Sequence, residues 1–136
     1  MKQKVLFLCT GNACRSQMAE GWLKHLGAEH FEVYSAGIIA HGENPRACTV
    51  MKQAGVDISG QQSEVLDVAL LEEMDMLITV CGNADARCPV IPVGCEKQHW
   101  PFDDPASARG TEIEIMAEFS RVRDQIRHRI TCFIHQ

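Results

Sequence analysis

The stretch that decides the fold is VLFLCTGNACRSQMAEGW, residues 5–22. It passes from an apolar run through a polar loop into a helical pattern. Residues 5–9 predict a short buried strand, and the apolar positions of residues 16–26 recur at helical spacing, with Gly27 as a stop. A strand that leads directly through a loop into a helix is typical of α/β sheets, where ligands bind at the junction between the two.

The remaining elements alternate along the chain. We predict strands at residues 33–36, 74–81 and 100–102, helices at residues 45–54, 66–74 and 113–133, and mostly loop at residues 82–98. The helix at residues 45–54 starts with Asn44 as its cap and Pro45 at its first position. Strands that alternate with helices predict one α/β domain over residues 1–136, built on a parallel sheet.

Composition and charge narrow the classes of function. The chain has 136 residues, of which 46% are hydrophobic and 23% charged, and its net charge is −5. No basic stripe is present, so nucleic acid and anionic membranes are excluded as partners. No apolar stretch approaches the ~20 residues of a membrane span. The apolar run in MKQKVLFLCTG is shorter than the ~7 residues of a signal-peptide core, and we expect a cytoplasmic protein.

The loop between the first strand and the first helix predicts an oxyanion site. Gly11 and Asn12 tolerate left-handed backbone, so the loop can curl with its N–H groups pointing inward. Such a nest at a helix N-terminus binds anions, and Arg15 adds a planar fork for two oxygens of a tetrahedral oxyanion. The predicted binding residues are Thr10, Gly11, Asn12, Ala13, Cys14, Arg15 and Ser16.

Cys9 and Asp104 are the candidates for covalent and acid–base chemistry. Cys9 begins the spacing C-x5-R at the base of this loop, where the nest, the helix N-terminus and the Ser16 hydroxyl favour a thiolate nucleophile. Its plain alternative is a structural cysteine beside a surface arginine. Asp104 stands before Pro105, which holds it extended and suits it to act as a general acid, although Asp-Pro also favours an ordinary solvated turn. These residues describe a phosphatase as well as any other oxyanion enzyme.

The other cysteines bear on that choice. The chain has seven, at positions 9, 14, 48, 81, 88, 95 and 132, and an odd number without a secretion signal argues against a permanent disulfide framework. Cys81 ends a predicted strand at the same sheet edge as Cys9, and Cys88 follows after a short loop, so exchange among these thiols is open to them. Zinc is an alternative, but the spacing of Cys81, Cys88, Cys95 and His99 matches no common zinc pattern. Packing roles suit Cys48 and Cys132, Cys14 is interpreted as structural or as a substitute partner for Cys9, and Cys95 is unassigned.

Several motifs together resemble the thioredoxin-coupled arsenate reductases, which share the fold of low-molecular-weight protein tyrosine phosphatases. They are CTGNACRSQMAEGW, VYSAG, VCGNADARCP, HWPFDDPA and FSRVRDQI, spread over nearly the whole chain. The resemblance implies a four-stranded parallel sheet flanked by helices. It implies that Cys9 is the nucleophile, Arg15 the anion-binding arginine and Asp104 the general acid, with Asn12 and Ser16 supporting the loop and the thiolate.

The resemblance also implies a mechanism. Arsenate is reduced to arsenite for detoxification, a Cys9–Cys81 disulfide forms, and Cys88 then converts it to Cys81–Cys88 for thioredoxin to reduce. Because a disulfide needs Cα atoms within about 7 Å, one static arrangement does not serve both bonds, and we expect residues 82–89 to move. No bound cofactor is implied, a monomer is expected, and a potassium ion is implied at Asn12, Glu20, Ser35 and Glu64. The last would be Asp in the ion-binding pattern.

Three alternatives stay open at this point. A tyrosine phosphatase of this fold needs Cys9, Arg15 and Asp104 alone, but it usually carries an aromatic residue where this chain has Ala106. A reductase coupled to glutathione and glutaredoxin needs fewer protein thiols than the C-x6-C pair provides. A non-catalytic oxyanion sensor needs the loop without an acid or a second thiol, and replacing Cys81 would leave it intact. Weak phosphatase activity is expected beside arsenate reduction.

Overall fold

A four-stranded parallel sheet forms the centre of the structure, a computed structural model that describes residues 2–136. Its strands are β1 (Gln3–Cys9), β2 (Phe31–Gly37), β3 (Met76–Thr79) and β4 (Glu96–His99). They lie in the order β2-β1-β3-β4, and every neighbouring pair is parallel. The predicted α/β fold with four parallel strands is confirmed.

Five helices flank this sheet. They are α1 (Arg15–Gly27), α2 (Pro45–Gln53), α3 (Val68–Glu72), α4 (Gly82–Ala86) and α5 (Glu112–Ile134). Both α1 and α2 pack against α5, whereas α4 contacts β1 and β3. Within residues 2–136, no helix combines the length and the apolar character that crossing a membrane requires.

The central strand β1 explains why the site lies where it does. Its residues 5–8 are completely buried, because β1 has a hydrogen-bonded neighbour on each side and both α1 and α4 contact it. A continuous apolar run is the pattern expected of such a strand. The strand ends at Cys9, so the core itself positions this thiol at the carboxyl edge of the sheet.

Local signals account for the helix starts. Asn44 accepts hydrogen bonds from the N–H groups of Arg46 and Ala47, which begins α2 where the sequence predicts it. Thr111 and Glu114 form a reciprocal capping box at the start of α5. The long α5 then packs against α1, and five of its periodic apolar residues are buried, namely Phe119, Val122, Ile126, Ile130 and Phe133. Ile113, in the first turn, is exposed instead.

Two predictions for residues 74–102 are wrong. The predicted loop at residues 82–98 contains both α4 and β4, and the predicted strand at residues 100–102 is not one. β4 is an edge strand of sequence EKQH with no fully buried residue, so it lacks an apolar signal, and the buried Trp100 comes just after it. β3 also ends at Thr79 rather than at Cys81, because Cys81 is the N-cap of α4, a role in which sulfur is unusual.

Candidate active site

The carbonyl groups of Cys9 and of the loop after it pair mainly with the segment that follows β2. Four of these carbonyls accept hydrogen bonds from residues 38–44, the segment after β2. The pairs are Ile38 N–H to Cys9 (3.2 Å), Ile39 to Thr10 (2.9 Å), His41 to Gly11 (2.8 Å) and Asn44 to Ala13 (3.1 Å). No group within residues 2–136 accepts a hydrogen bond from the N–H groups of residues 11–14, and the N-cap of α1, Cys14, contributes no side-chain cap. These N–H groups at the start of α1 are therefore available to an anion.

Asn12 is the residue on which this loop turns. Its φ of +47° makes it the one non-glycine residue with positive φ in the described chain. Its side chain is fully buried, and its Oδ1 accepts a hydrogen bond from the Ser16 hydroxyl at 2.7 Å. Gly11 does not adopt positive φ; it is small because a Cβ there would lie 2.4 Å from Nδ1 of His41. Only Asn12 thus takes the left-handed role predicted for both residues.

Cys9 lies at the base of the loop and is connected to Asn12 through Ser16. The Cys9 sulfur is 2.9 Å from the Ser16 hydroxyl oxygen, which is in turn bonded to Asn12. Both Cys9 and Ser16 are buried. The three side chains form one continuous hydrogen-bonded network beneath the row of free N–H groups.

Arg15 and Asp104 lie close together in the structure although 89 positions separate them in the chain. Nη1 of Arg15 donates to the carbonyl of Phe102 at 3.0 Å, and its Nη2 lies 3.7 Å from Oδ2 of Asp104. Asp104 starts a 3-10 turn, Pro105–Ser107, by accepting hydrogen bonds from the N–H of Ala106 and the hydroxyl of Ser107. The turn predicted from Asp-Pro therefore exists, and it directs Asp104 toward the loop between β1 and α1, residues 10–14, which we call the oxyanion loop.

A cavity of about 300 Å³ brings most of the predicted residues together. It is lined by Cys9, Thr10, Gly11, Ala13, Cys14, Arg15, His41, Asn44, Asp104 and Ala106. His41 and Asn44 are the lining residues that the sequence did not predict for this site. Asn44 was recognisable as a helix cap, whereas no local signal marks His41, which reaches the cavity because its segment pairs with the loop.

Cys81 lies directly beside the oxyanion loop. Its sulfur is 3.3 Å from the Thr10 hydroxyl and accepts the N–H of Ala84 at 3.4 Å as the cap of α4. Asn83 donates to the same Thr10 hydroxyl at 2.9 Å. Thr10 therefore connects the loop that holds Cys9 with the helix that Cys81 begins.

Cys88 stands two residues beyond the end of α4 and is half-buried. Burial raises the pKa of its thiol; the ammonium of Lys97 acts in the opposite direction, and the carboxylate of Asp85 adds to the rise in pKa. All seven cysteines are free thiols, so the structure represents the reduced protein.

The other cysteines fall into different environments. Burial, with a further contribution from Asp104, raises the pKa of Cys14 far above the usual range of a thiol. Cys48 and Cys95 are half-buried, and burial raises the pKa of each. Cys132 is exposed on α5, so the packing role predicted for it is wrong, since it lies on the outer face of the helix.

The residues proposed to hold potassium are only partly grouped. The Ser35 hydroxyl donates to one oxygen of the Glu20 carboxylate, and the ammonium of Lys24 contacts the other. Glu64 lines a second cavity together with Glu20, Lys24 and Ser35. The side-chain amide of Asn12 lies 3.5 Å from the backbone carbonyl oxygen of Glu64. Glu20 thus has a cationic partner from within the chain. In residues 2–136 no three His, Cys, Asp or Glu side chains are placed to hold a metal ion, and potassium binding stays a prediction.

Comparison with known proteins identifies the family. The model of the low molecular weight phosphotyrosine protein phosphatase family matches residues 4–136. The arsenate reductase of Bacillus licheniformis is 56% identical over 133 residues, which cover 97% of this chain and 95% of the relative. A solved structure of an arsenate reductase in the phosphate binding state has a TM-score of 0.80 at 32% identity, covering 98% of this chain and 97% of that one.

One further solved structure names a reductant. The thioredoxin-dependent arsenate reductase of Corynebacterium glutamicum has a TM-score of 0.68 at 28% identity and covers 96% of this chain and 63% of its own. The chain belongs to the low molecular weight phosphotyrosine protein phosphatase family, within the group that includes the arsenate reductases.

Proposed function

We propose that this protein reduces arsenate to arsenite and is regenerated by thioredoxin, with Cys9, Cys81 and Cys88 passing the oxidation along the chain. The observation that carries the proposal is one cavity lined by Cys9, Arg15, Asp104 and the free N–H groups, with Cys81 joined to it through Thr10. An oxyanion site alone serves many reactions, whereas a second buried thiol at its rim serves reduction. The names of the similar proteins support the same substrate and reductant.

In the binding step, arsenate occupies the oxyanion loop. The N–H groups of residues 11–14 and the N-terminus of α1 neutralise its charge. The guanidinium of Arg15 is held at the cavity by its hydrogen bond to Phe102, so its planar fork is oriented before the oxyanion arrives. An acidic protein binds this anion because the positive potential is confined to the loop.

In the first chemical step, the Cys9 thiolate attacks arsenic and an S–As bond forms. The Ser16 hydroxyl, 2.9 Å from the sulfur, donates its one hydrogen to Asn12 in this structure, and turning that hydrogen to the sulfur exchanges the bond to Asn12 for one that stabilises the thiolate. Asp104 donates a proton to the departing oxygen, which leaves as water. Arsenic remains As(V) at this stage.

In the reduction step, the Cys81 thiolate attacks the sulfur of Cys9. A Cys9–Cys81 disulfide forms, the S–As bond breaks, and its electron pair stays on arsenic, which leaves as arsenite. The Thr10 hydroxyl and the N–H of Ala84 both lie within hydrogen-bonding distance of the attacking sulfur, so they stabilise its thiolate form.

In the second exchange, the Cys88 thiolate attacks Cys81, a Cys81–Cys88 disulfide forms, and Cys9 leaves as a thiolate. The five residues of α4 lie between Cys81 and Cys88, and at the helical rise of 1.5 Å they extend about 7.5 Å, beyond the ~7 Å that a disulfide allows between Cα atoms. We therefore infer that α4 unwinds for this step. Thioredoxin then reduces the Cys81–Cys88 disulfide, so no bound redox cofactor is required.

The experiment that tests the proposal is NADPH consumption with thioredoxin and thioredoxin reductase, with and without arsenate. We expect arsenate-dependent turnover by the intact protein and a single cycle by Cys88→Ser. Matched Cys132→Ser, which removes an exposed thiol, should turn over normally. No turnover with thioredoxin, but turnover with glutathione and glutaredoxin, would replace the three-thiol relay with the glutaredoxin mechanism; arsenate binding without any turnover would indicate a sensor.

Phosphate ester hydrolysis is a second candidate activity, because the cavity contains every group it needs. Ala106 lines the cavity and offers no aromatic wall for a phenyl ring, so we expect weak turnover. With p-nitrophenyl phosphate, Asp104→Asn should lower the rate and Cys81→Ser should leave it unchanged. A Cys81→Ser variant that also loses this activity would contradict the separation of the two roles.

A further inference from the structure

Asp85 lies in α4 between the two relay cysteines, and its carboxylate contacts the sheet. Its Oδ1 accepts a hydrogen bond from the Thr79 hydroxyl at 3.0 Å and pairs with the ammonium of Lys97 at 2.8 Å. Thr79 is the fully buried last residue of β3, and Lys97 belongs to the neighbouring β4. Two strands thus hold one side chain of a five-residue helix.

His99 completes this group, which we call the Asp85 cluster (Thr79, Asp85, Lys97 and His99). Nδ1 of His99 is 2.7 Å from the Thr79 hydroxyl and 3.8 Å from Oδ1 of Asp85. No member of the cluster lines the oxyanion cavity, and none has a part in the chemistry described above. The cluster is therefore a set of polar contacts that the proposed function leaves without a role.

The contacts of the Asp85 cluster oppose the second exchange. The Cys81–Cys88 disulfide requires α4 to unwind, and Asp85 sits in the middle of the segment that must rearrange. The sheet residues of the cluster stay where strand pairing holds them. Unwinding of α4 therefore separates Asp85 from Thr79 and Lys97.

We propose that Asp85 is a positioning residue that keeps α4 folded while Cys81 attacks Cys9, and that its contacts with Thr79 and Lys97 slow the later attack of Cys88 because they must break first. The inference rests on the proposed three-thiol relay. The step itself is a thiol–disulfide exchange: the Cys88–Cys81 bond forms, the Cys9–Cys81 bond breaks, and the proton of Cys88 goes to solvent. The reduced enzyme holds Cys81 at the loop, and the oxidised intermediate must release it.

The charges near Cys88 support this order of events. The Asp85 carboxylate raises the pKa of Cys88 and the Lys97 ammonium lowers it. While the two are paired, their effects on Cys88 oppose each other. Once Asp85 has left, the Lys97 ammonium faces Cys88 without its partner and favours the attacking thiolate.

The test is a single turnover with arsenate and no thioredoxin, quenched with an alkylating reagent and analysed by mass spectrometry for both disulfides. Asp85→Asn keeps an acceptor for Thr79 and the size of the side chain but removes the ion pair with Lys97. We expect conversion of Cys9–Cys81 to Cys81–Cys88 to become about two- to five-fold faster, as loss of a half-exposed ion pair predicts. Formation of Cys9–Cys81 should become slower, by about two-fold or less, because α4 is then less firmly held while Cys81 attacks Cys9.

Two further variants make the outcome specific. Lys97→Gln breaks the same pair from the sheet side and should also accelerate the conversion, but less than Asp85→Asn, because it removes the cation near Cys88. Glu112→Gln breaks the exposed Glu112–Arg46 pair between α5 and α2, far along the chain from α4, and should change neither disulfide step.

Raising the salt concentration from about 0.05 M to 0.5 M should accelerate the conversion in the intact protein and leave the rate in Asp85→Asn unaffected.

A merely structural role would slow the relay on substitution, so acceleration of one step separates the two explanations. Conversion at an unchanged or lower rate in Asp85→Asn, or equal acceleration in Glu112→Gln, would overturn this inference alone. Absence of both disulfides in the intact protein would overturn the proposed function and the inference with it.

Discussion

Asn12 shows how much one residue contributes to the oxyanion loop. Its positive φ turns the chain, and its side chain holds Ser16, which in turn contacts Cys9. Glycine would permit the same backbone but would remove the hydrogen bond, whereas most other residues would strain the turn. Asparagine satisfies both requirements at once, which explains why the polar segment after β1 contains it.

Cys14 provides a prediction at this scale. Because burial and Asp104 raise its pKa, the neutral thiol persists at every pH below that raised value, including the whole range from pH 6 to 9. We expect Cys14→Ser to keep arsenate-dependent turnover within about three-fold, whereas Cys9→Ser should lose several orders of magnitude. Peptide mapping after iodoacetamide treatment should leave Cys14 unmodified up to pH 9, and its rapid alkylation at pH 8 would contradict the prediction.

At the scale of elements, the end of β2 supports the oxyanion loop through backbone contact. A Cβ on Gly37 would lie 2.3 Å from the carbonyl oxygen of Ile39, 2.8 Å from the N of Asn12 and 2.9 Å from the carbonyl oxygen of Thr10. All three are backbone atoms, so a side chain has no flexible neighbour to displace. Gly37 thus belongs to the site without lining the cavity.

The corresponding prediction compares two glycines. Gly37→Ala should lower the free energy of unfolding by about 1–3 kcal/mol and weaken phosphate binding, because the loop must shift to admit the methyl group. Gly60→Ala is the matched control, since nothing lies within 4 Å of a Cβ there and its φ is not positive. Denaturant unfolding and isothermal titration with phosphate measure both effects. Equal stability and affinity for the two variants would refute this account of Gly37.

The short helix α4 carries a second prediction at this scale. The N–H groups of Asp85, Arg87 and Cys88 are hydrogen-bonded within its turns in the reduced protein. If α4 unwinds on formation of the Cys81–Cys88 disulfide, these amides should exchange with deuterium at least about ten-fold faster in the oxidised protein. Amides of α5 serve as the internal reference and should be unchanged. Identical exchange of residues 82–88 in both redox states would argue against the second step of the relay.

At the scale of the whole molecule, an acidic chain can bind an anion when it concentrates its favourable groups at one place. The net charge is −5, yet the loop presents free N–H groups, a helix N-terminus and Arg15 to one cavity. Such a site gains affinity from local geometry rather than from overall charge. Binding there should stabilise the fold, because the loop is held together by β1, α1 and the segment after β2.

This coupling can be measured as a ligand-dependent stability. Phosphate at 100 times its dissociation constant should raise the free energy of unfolding by about 2.7 kcal/mol. Thermal denaturation over a phosphate series measures it, with sodium chloride at matched ionic strength as the control. Arg15→Lys, which keeps the charge but loses the planar fork, should require more phosphate for the same shift. A chloride series that produces an equal shift would show that no specific oxyanion site exists.

Local patterns were sufficient for the elements whose signals lie within a few residues. The apolar run of β1, the Asn-Pro start of α2 and the periodic α5 were predicted near their observed bounds. β4 and α4 were not, because an exposed edge strand needs no apolar residues and a cysteine cap is an uncommon signal. The resemblance of the motifs supplied the strand count, which the sheet confirms, and the family, which the comparisons confirm.

By itself, the sequence determined that the oxyanion loop turns at Gly11 or Asn12, that a strand and a helix meet around it, and which thiols and acid are the candidates. Those depend on φ preferences, apolar spacing and side-chain chemistry, all of which act over a few positions. Only the tertiary structure decided three other features. They are the approach of Asp104 to Arg15, the pairing of the oxyanion loop with residues 38–44, and the anchoring of Asp85 on two strands. They depend on how folding of the sheet brings together residues that are far apart in the chain, which no local pattern encodes.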